Sequence, residues 1–264
     1  IFCIHFIHIM QVSLITCTFN SEKTIKDCCL SILSQSYQNI EHIILDKNSQ
    51  DQTLNNLEQF KTENQKIIQQ KSSGIYGALN EGMNLAKGDI IGILHSDDEF
   101  MNKDVIKDIS NIFLNNKIDL LFSNLVYTKK NNTEKIIRKW ESQLNEGIQS
   151  SDLITYKIKN GWMPPHPTIF IRKTLLKEIN LNYDESYKIS SDYDFILKLF
   201  NNSKSKIFYL NKFTIKMRFG GTSNKSIKNI IIKMMEDFKI LKKHKLNSLK
   251  IIFLKNFSKI KQFF

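Results

Sequence analysis

Hydrophobic positions along this chain follow two rhythms, and the rhythms alternate. Val12–Cys17, Ile40–Leu45, Lys66–Gln69 and Asp89–Leu94 are short runs of the kind that form strands buried on both faces of a sheet. Between the first two, residues 22–34 set Ile25, Cys28, Cys29, Ile32 and Leu33 on one helical face, with Asn20 or Ser21 available as cap. Asn48-Ser49-Gln50-Asp51 is turn chemistry leading into a helix near 52–62. Ile75–Lys87 reads as a helix closed by Gly88 just past its end. A helix near 103–115 and a strand near 119–126 follow. Alternation of this kind predicts an α/β fold with a mostly parallel sheet, right-handed crossovers and helices on its faces.

The second half alternates less cleanly. Ile136–Trp140 and Phe213–Arg218 are strand-like, the latter ending at Gly220-Gly221, whereas 141–161 looks irregular or partly helical. All three prolines fall in Pro164-Pro165-His166-Pro167, which predicts a stiff, extended segment presenting one histidine. Asp192–Phe200 reads as a helix entered through Ser190-Ser191-Asp192. Ser226–Lys245 reads as a basic helix with Ile227, Ile230, Ile231, Met234, Met235, Phe238 and Leu241 on one side.

Candidate chemistry gathers where the apolar runs stop. Thr18-Phe19-Asn20, Asp46 and Asp97-Asp98 end the three best strands, and ligands of open α/β sheets bind beyond the carboxyl ends of strands. Two adjacent acids there can hold a divalent cation, and the cation a diphosphate. Alternatively, Asp97 or Asp98 caps the next helix, and Asp46 stabilises its own turn.

Composition narrows the field. Cys3, Cys17, Cys28 and Cys29 show no C-x-x-C spacing, which argues against a zinc site or disulfide framework and suits a reducing cytoplasm. Cys17 and Cys28 read as small core residues. Of the net charge of +12, residues 225–264 hold eleven lysines against two acids, a net +9. Such a tail suits an anionic membrane surface or nucleic acid, or else packs on the domain through its Ile/Met side. No uncharged apolar run is long enough to predict a membrane-spanning helix. Residues 1–9 lack the marks of a signal peptide and read as an upstream or non-native extension before Met10.

Six motifs, in order, resemble the family 2 glycosyltransferases. They are Val12–Asn20, Asp46-Lys47-Asn48-Ser49-Gln50-Asp51-Gln52-Thr53 (similar to D-x-G-S-x-D-x-T), Gly74-Ile75-Tyr76-Gly77-Ala78-Leu79-Asn80-Glu81-Gly82 (similar to G-I-Y-D-A-M-N-K-G), Ser96-Asp97-Asp98 in the place of D-x-D, Ser191-Asp192-Tyr193-Asp194, and Phe219-Gly220-Gly221-Thr222-Ser223. The resemblance implies a GT-A fold, with a nucleotide-sugar-binding half over 10–128, an acceptor-binding and catalytic half over 129–224, and the basic tail over 225–264. It implies inverting transfer of a sugar from a nucleotide-sugar donor, UDP-linked by preference, with Mn²⁺ or Mg²⁺. The acceptor would be a growing surface glycan or one carried on polyprenyl diphosphate, at the cytoplasmic membrane face, with no nucleic acid involved.

By the same resemblance Asp98 holds the metal and Asp97 faces the ribose or a metal-bound water. Thr18, Phe19, Glu22, Asp46, Gly77 and Asn80 surround the donor. Asp192 is the general base, because an acceptor hydroxyl needs a carboxylate to take its proton as the new bond forms; alternatively Ser190-Ser191-Asp192 is a plain helix cap, and Asp194, the backup base, bonds locally. His166, Arg218, Thr222 and Ser223 would touch acceptor or diphosphate. Two departures stand out: Lys47 where a second acid is common, and Gly77 where the subgroup usually has Asp. A nucleotidyltransferase is disfavoured because Thr18–Glu22 is not a Gly-rich phosphate loop. A catalytically silent binding module is the remaining alternative.

Overall fold

The computed structural model describes residues 9–201, 205–220, 226–248 and 250–252. Nearly all of the 1–9 extension therefore lies outside the described residues. Four strands repeat the expected apolar runs: β1 (Val12–Thr18), β2 (Ile40–Asp46), β3 (Gln65–Gln69) and β4 (Ile90–Ile93). β1 pairs in parallel with β2 and β4, and β2 with β3. The helices between them are α1 (Ile25–Leu33), α2 (Thr53–Gln59) and α3 (Gly74–Leu85). α1 begins later than expected, because residues 22–24 form a turn in which the Ser21 carbonyl accepts from the Thr24 and Ile25 amides.

Gly88 does not close α3, which ends three residues earlier. Glycine is needed there because a Cβ would sit 2.7 Å from Gln11 O and Ser13 N at the start of β1.

After β4 come β5 (Asp98–Phe100), α4 (Val105–Asn116), β6 (Leu120–Lys129), β7 (Asn132–Trp140), β8 (Gly147–Gln149) and α5 (Ser151–Lys159). Then follow β9 (Phe170–Arg172), α6 (Lys173–Glu178), α7 (Ser191–Phe200), β10 (Ile207–Arg218) and α8 (Ile227–Lys243). The strands join one sheet in the order β3-β2-β1-β4-β9-β6-β10-β5, with β7 on β6 and β8 on β10.

β9 is the topological surprise. It runs antiparallel between β4 and β6, so β6 runs with β4, and β10 is parallel to β6. The residues before β9 consequently share an edge with the residues after β1, β2, β4 and β10. That edge receives Pro164–Thr168, where the expected extended segment instead closes into a single 3₁₀ turn over His166–Thr168. Both sheet faces are covered. Ile15, Ile43 and Leu45 pack with Ala78, Leu79 and Met83 of α3 on one side. Val12 and Leu14 pack with Cys28 and Ile32 of α1 and Ile106, Ile109 and Phe113 of α4 on the other. Among the described residues no helix is long and apolar enough to cross a membrane.

Candidate active site

The acidic pair follows β4 directly. The Asp98 amide donates to the His95 carbonyl at 2.9 Å, closing a turn that starts β5. Strand alternation then buries Asp98 beside Phe100 and leaves Asp97 half-buried. Asp98 is 1% exposed, and neither carboxylate oxygen meets a hydrogen-bond partner. Burial, followed by the adjacent Asp97 charge, pushes its pKa well above the ordinary carboxylate range, with Arg218 opposing. Asp97, half-buried, is the more accessible of the two. Two hard oxygen donors, one of them buried with only Arg218 to offset its charge, fit a Mg²⁺- or Mn²⁺-type ion. Among the described residues no group of three or more His, Cys, Asp and Glu side chains gathers around a metal position. The rest of such an ion's shell would have to come from phosphate oxygens and water, the usual pattern for Mg²⁺ bound with phosphates.

Arg218 ends β10, and it is not free for a diphosphate. It is 7% exposed; one guanidinium nitrogen donates to the Asp97 carbonyl at 2.8 Å, another to Asp27 at 2.6 Å and Glu99 at 2.8 Å. It pins the turn that carries the acidic pair. Thr222 and Ser223 lie outside the described residues.

At the ends of β1 and β2, Thr18 is buried with its hydroxyl unpartnered. Phe19 is 53% exposed, so it is not core, and Lys47 Nζ stands 5.8 Å from its ring centroid. Asp46 takes the turn-stabilising alternative: its two oxygens accept from the Ser49 amide at 2.9 Å and hydroxyl at 2.6 Å. Glu22 accepts from the Gln52 amide at 3.1 Å, tying the end of β1 to the loop after β2.

Gly77 and Asn80 dock the 183–185 segment on α3. The Asn80 side chain donates to Tyr183 O and Glu185 Oε1, both at 3.0 Å, and accepts from the Tyr183 amide at 2.8 Å. This full commitment replaces the expected donor-pocket role. A Cβ at Gly77 would lie 2.8 Å from Ser72 Cβ and 3.0 Å from Glu185 Oε2. A carboxylate delivered from a distant segment thus lies against Gly77, which no local sequence pattern could reveal.

Asp192 opens α7, where the helix dipole favours a carboxylate. It is half-buried and accepts from the Tyr193 amide at 2.9 Å. Asp194 faces elsewhere. It is fully buried and meets Lys198 at 2.7 Å, His244 at 2.9 Å and Lys243 at 3.2 Å. Burial would raise its pKa, but hydrogen bonds from His244 and Lys198 and the two lysine charges hold it below the carboxylate range. It is a structural ion-pair centre, not a backup base.

His95, which sequence reasoning passed over, is half-buried in the turn between β4 and β5. Burial lowers its pKa, while the charges of both Asp97 and Asp192 oppose that shift. Its ring lies 6.2 Å from His166, whose Nε2 shares a 2.7 Å hydrogen bond with the Tyr183 hydroxyl. Burial, then His95, drives His166 down to about 3, so it is neutral at physiological pH. The only sequence signal for His95 was its place two residues before Asp97.

The segment entering α7 is anchored from two sides. Tyr76 of α3 donates to Ile189 O at 2.5 Å. Glu236 of α8 accepts the amides of Lys188, Ile189 and Ser190 at 2.8, 2.9 and 2.9 Å. The three thiols at 17, 28 and 29 are free; burial raises Cys17 to about 12, consistent with inert packing.

The profile described as Glycosyl transferase family 2 matches residues 13–179. An uncharacterized glycosyltransferase of Methanocaldococcus jannaschii is 27% identical over 218 residues, 81% of this chain and 72% of its own length. The poly(ribitol-phosphate) beta-N-acetylglucosaminyltransferase TarS of Staphylococcus aureus is 28% identical over 199 residues, 74% of this chain but only 33% of that protein. Residues 1–349 of TarS, crystallised with UDP-GlcNAc, superpose with a TM-score of 0.69 at 22% identity, covering 88% of this chain and 67% of that one. A mannosyltransferase of Pyrobaculum calidifontis, crystallised with GDP-Man and Mn²⁺, superposes with a TM-score of 0.60 at 12% identity, covering 89% and 64%. The shared architecture is the GT-A arrangement.

Proposed function

The chain belongs to the family 2 glycosyltransferases, and on that premise we propose that it transfers one sugar, with inversion, from a UDP-linked donor to a growing surface glycan on a lipid diphosphate. Names and ligands of the relatives support the donor class: TarS is an N-acetylglucosaminyltransferase and was crystallised with UDP-GlcNAc. The observation that supports the reading is the run of rings between the two acidic segments: His95, two residues before Asp97, lies 6.2 Å from His166, and His166 lies 6.3 Å from Phe195, three residues after Asp192 in α7.

In this reading the nucleotide lies over the ends of β1 and β2, its base against the exposed Phe19 ring. Asp98, with Asp97 beside it, would hold a divalent cation, which would supply Lewis-acid neutralisation of the charge on the departing diphosphate. Asp192 accepts the proton of the acceptor hydroxyl as its oxygen attacks the anomeric carbon. The bond from that carbon to the phosphate oxygen breaks in the same displacement, and UDP leaves. One displacement inverts the anomeric centre. Tyr183 and His166 wall the site between the two acids. The reaction takes place at the cytoplasmic face of the membrane that carries the acceptor.

Donor turnover in Asp192→Asn tests this. The variant retains UDP-sugar binding, read as a thermal shift with Mn²⁺, and loses transfer by about 10²- to 10⁴-fold. Transfer at the parent rate would remove Asp192 from the chemistry. Absence of any nucleotide-sugar shift in the parent would favour a silent binding module.

A further inference from the structure

α8 is amphipathic in an inverted sense. The side it turns to the domain carries its two acids as well as Ile240 and Leu241. Glu236 and Asp237 are 8% and 7% exposed, Glu236 beneath the Lys188–Ser190 amides and Asp237 within the field of Tyr193. Of the Ile/Met side expected to pack on the domain, Leu241 does so, but four residues of the first half of the helix face outward instead. Ile230, Ile231, Met234 and Met235 are 43%, 52%, 49% and 58% exposed, in an i, i+1, i+4, i+5 pattern that makes one continuous stripe. Exposed Lys228, Lys239 and Lys242 border it. With both acids turned inward, the outward surface bears charge of one sign.

We propose that α8 is an interfacial helix that seats this stripe in an anionic bilayer, with its lysines at the headgroups. Apolar side chains bordered by lysines match a surface that is apolar beneath and negative above. Nucleic acid would satisfy the lysines and leave the stripe in water. A second copy would bring lysines against lysines if the same face were used twice, and four half-exposed side chains are far less than a stable dimer face of about 800 Å² per partner. The docking is argued from α8 alone. Only its purpose, bringing a lipid-carried acceptor to Asp192, rests on the proposed reaction.

The test uses the full chain and co-flotation with phosphatidylcholine vesicles, with and without phosphatidylglycerol. The parent floats with the anionic vesicles and not with the neutral ones, and high salt weakens the association. Ile231→Gln/Met235→Gln and Lys228→Gln/Lys239→Gln/Lys242→Gln each lower the partition about tenfold or more. Both keep the parent melting temperature and the parent turnover of donor with a soluble acceptor, so folding and transfer are scored apart from docking. Equal flotation of parent and variants, or equal flotation with neutral vesicles, would overturn the proposal. A sedimentation shift to dimer that the Ile231/Met235 variant abolishes would assign the stripe to a second copy and likewise overturn it. Tail deletion is a poorer test, because it also removes Glu236 from the segment entering α7.

Discussion

Replacing Glu236 with alanine removes one carboxylate and strands three amides. Glu236 is 8% exposed and accepts from Lys188, Ile189 and Ser190 at 2.8–2.9 Å. A hydrogen bond to a charged group contributes about 1.5–3 kcal/mol net, and a buried group left unpaired costs about 1–3 kcal/mol. The Ser190 amide is buried, whereas those of Lys188 and Ile189 are only partly so and can turn to water. The three bonds therefore do not add in full, and the expected loss is about 2–4 kcal/mol. For a chain of this size that corresponds to roughly 5–12 °C in melting temperature. The consequence for catalysis is more specific. Ser190 O receives the first amides of α7, from Tyr193 and Asp194, and Asp192 lies inside that turn. Slack at 188–190 moves the carboxylate proposed to take the acceptor proton, and misplacement of about 1 Å costs about a hundredfold in rate. Glu236→Ala should lower kcat with little change in donor KM, and Glu236→Gln should fall between it and the parent. Tyr76→Phe releases the second anchor at Ile189 and should couple to Glu236→Ala by about 0.5–3 kcal/mol. Thermal melts and steady-state kinetics read all four proteins. Parent-like stability and kcat in Glu236→Ala, or strict additivity with Tyr76→Phe, would refute the buttress.

Two further outcomes follow from packing and burial. Gly92→Ala puts a Cβ 2.3 Å from Phe170 Cε1, where β9 crosses β4; overpacking there should cost about 1–3 kcal/mol by urea unfolding, and an unchanged midpoint would mean the strands separate freely. His42 and His166 are both held near 3 by burial against an ordinary 6.5. The unfolded chain therefore binds protons that the fold refuses, so their contribution is complete above pH 6.5 and is lost as pH falls toward 3. Stability should drop by about 2–3 kcal/mol per pH unit below 6. His42→Gln should roughly halve that slope, and a flat profile between pH 7 and 5 would contradict the burial argument.

The parallel half of the sheet was legible because each strand is short, apolar and stopped by a polar residue. Nothing beyond ten residues of context was needed to place Thr18, Asp46 and Asp97 on one edge. The other half depends on pairings that no local pattern encodes. β9 is three residues long and owes its place to β4, some 80 positions upstream. β5 and β8 are equally short and were not foreseen, nor were the helical turns of α6. Side-chain partners were illegible for a related reason. Arg218, Asn80 and Asp46 are residue types that bind phosphates, sugars and ribose, but they also satisfy buried backbone and buried acids. Which use prevails depends on partners such as Glu99, Tyr183 and Ser49.

α8 makes the point most sharply. Periodicity puts Leu241 on one side with Ile230, Ile231, Met234 and Met235, yet only Leu241 is buried; ordinary reasoning turns the other four inward as well. The fold turns them outward because three amides at 188–190 need an acceptor, and a buried carboxylate with three donors gains more from that contact than four half-exposed apolar side chains gain from a shallow surface. Once Glu236 is fixed at that position, helix geometry leaves Ile231 and Met235 no route to the core. An apolar face left outward by such a constraint is where a partner should be sought, and the lysines beside it specify the partner's charge.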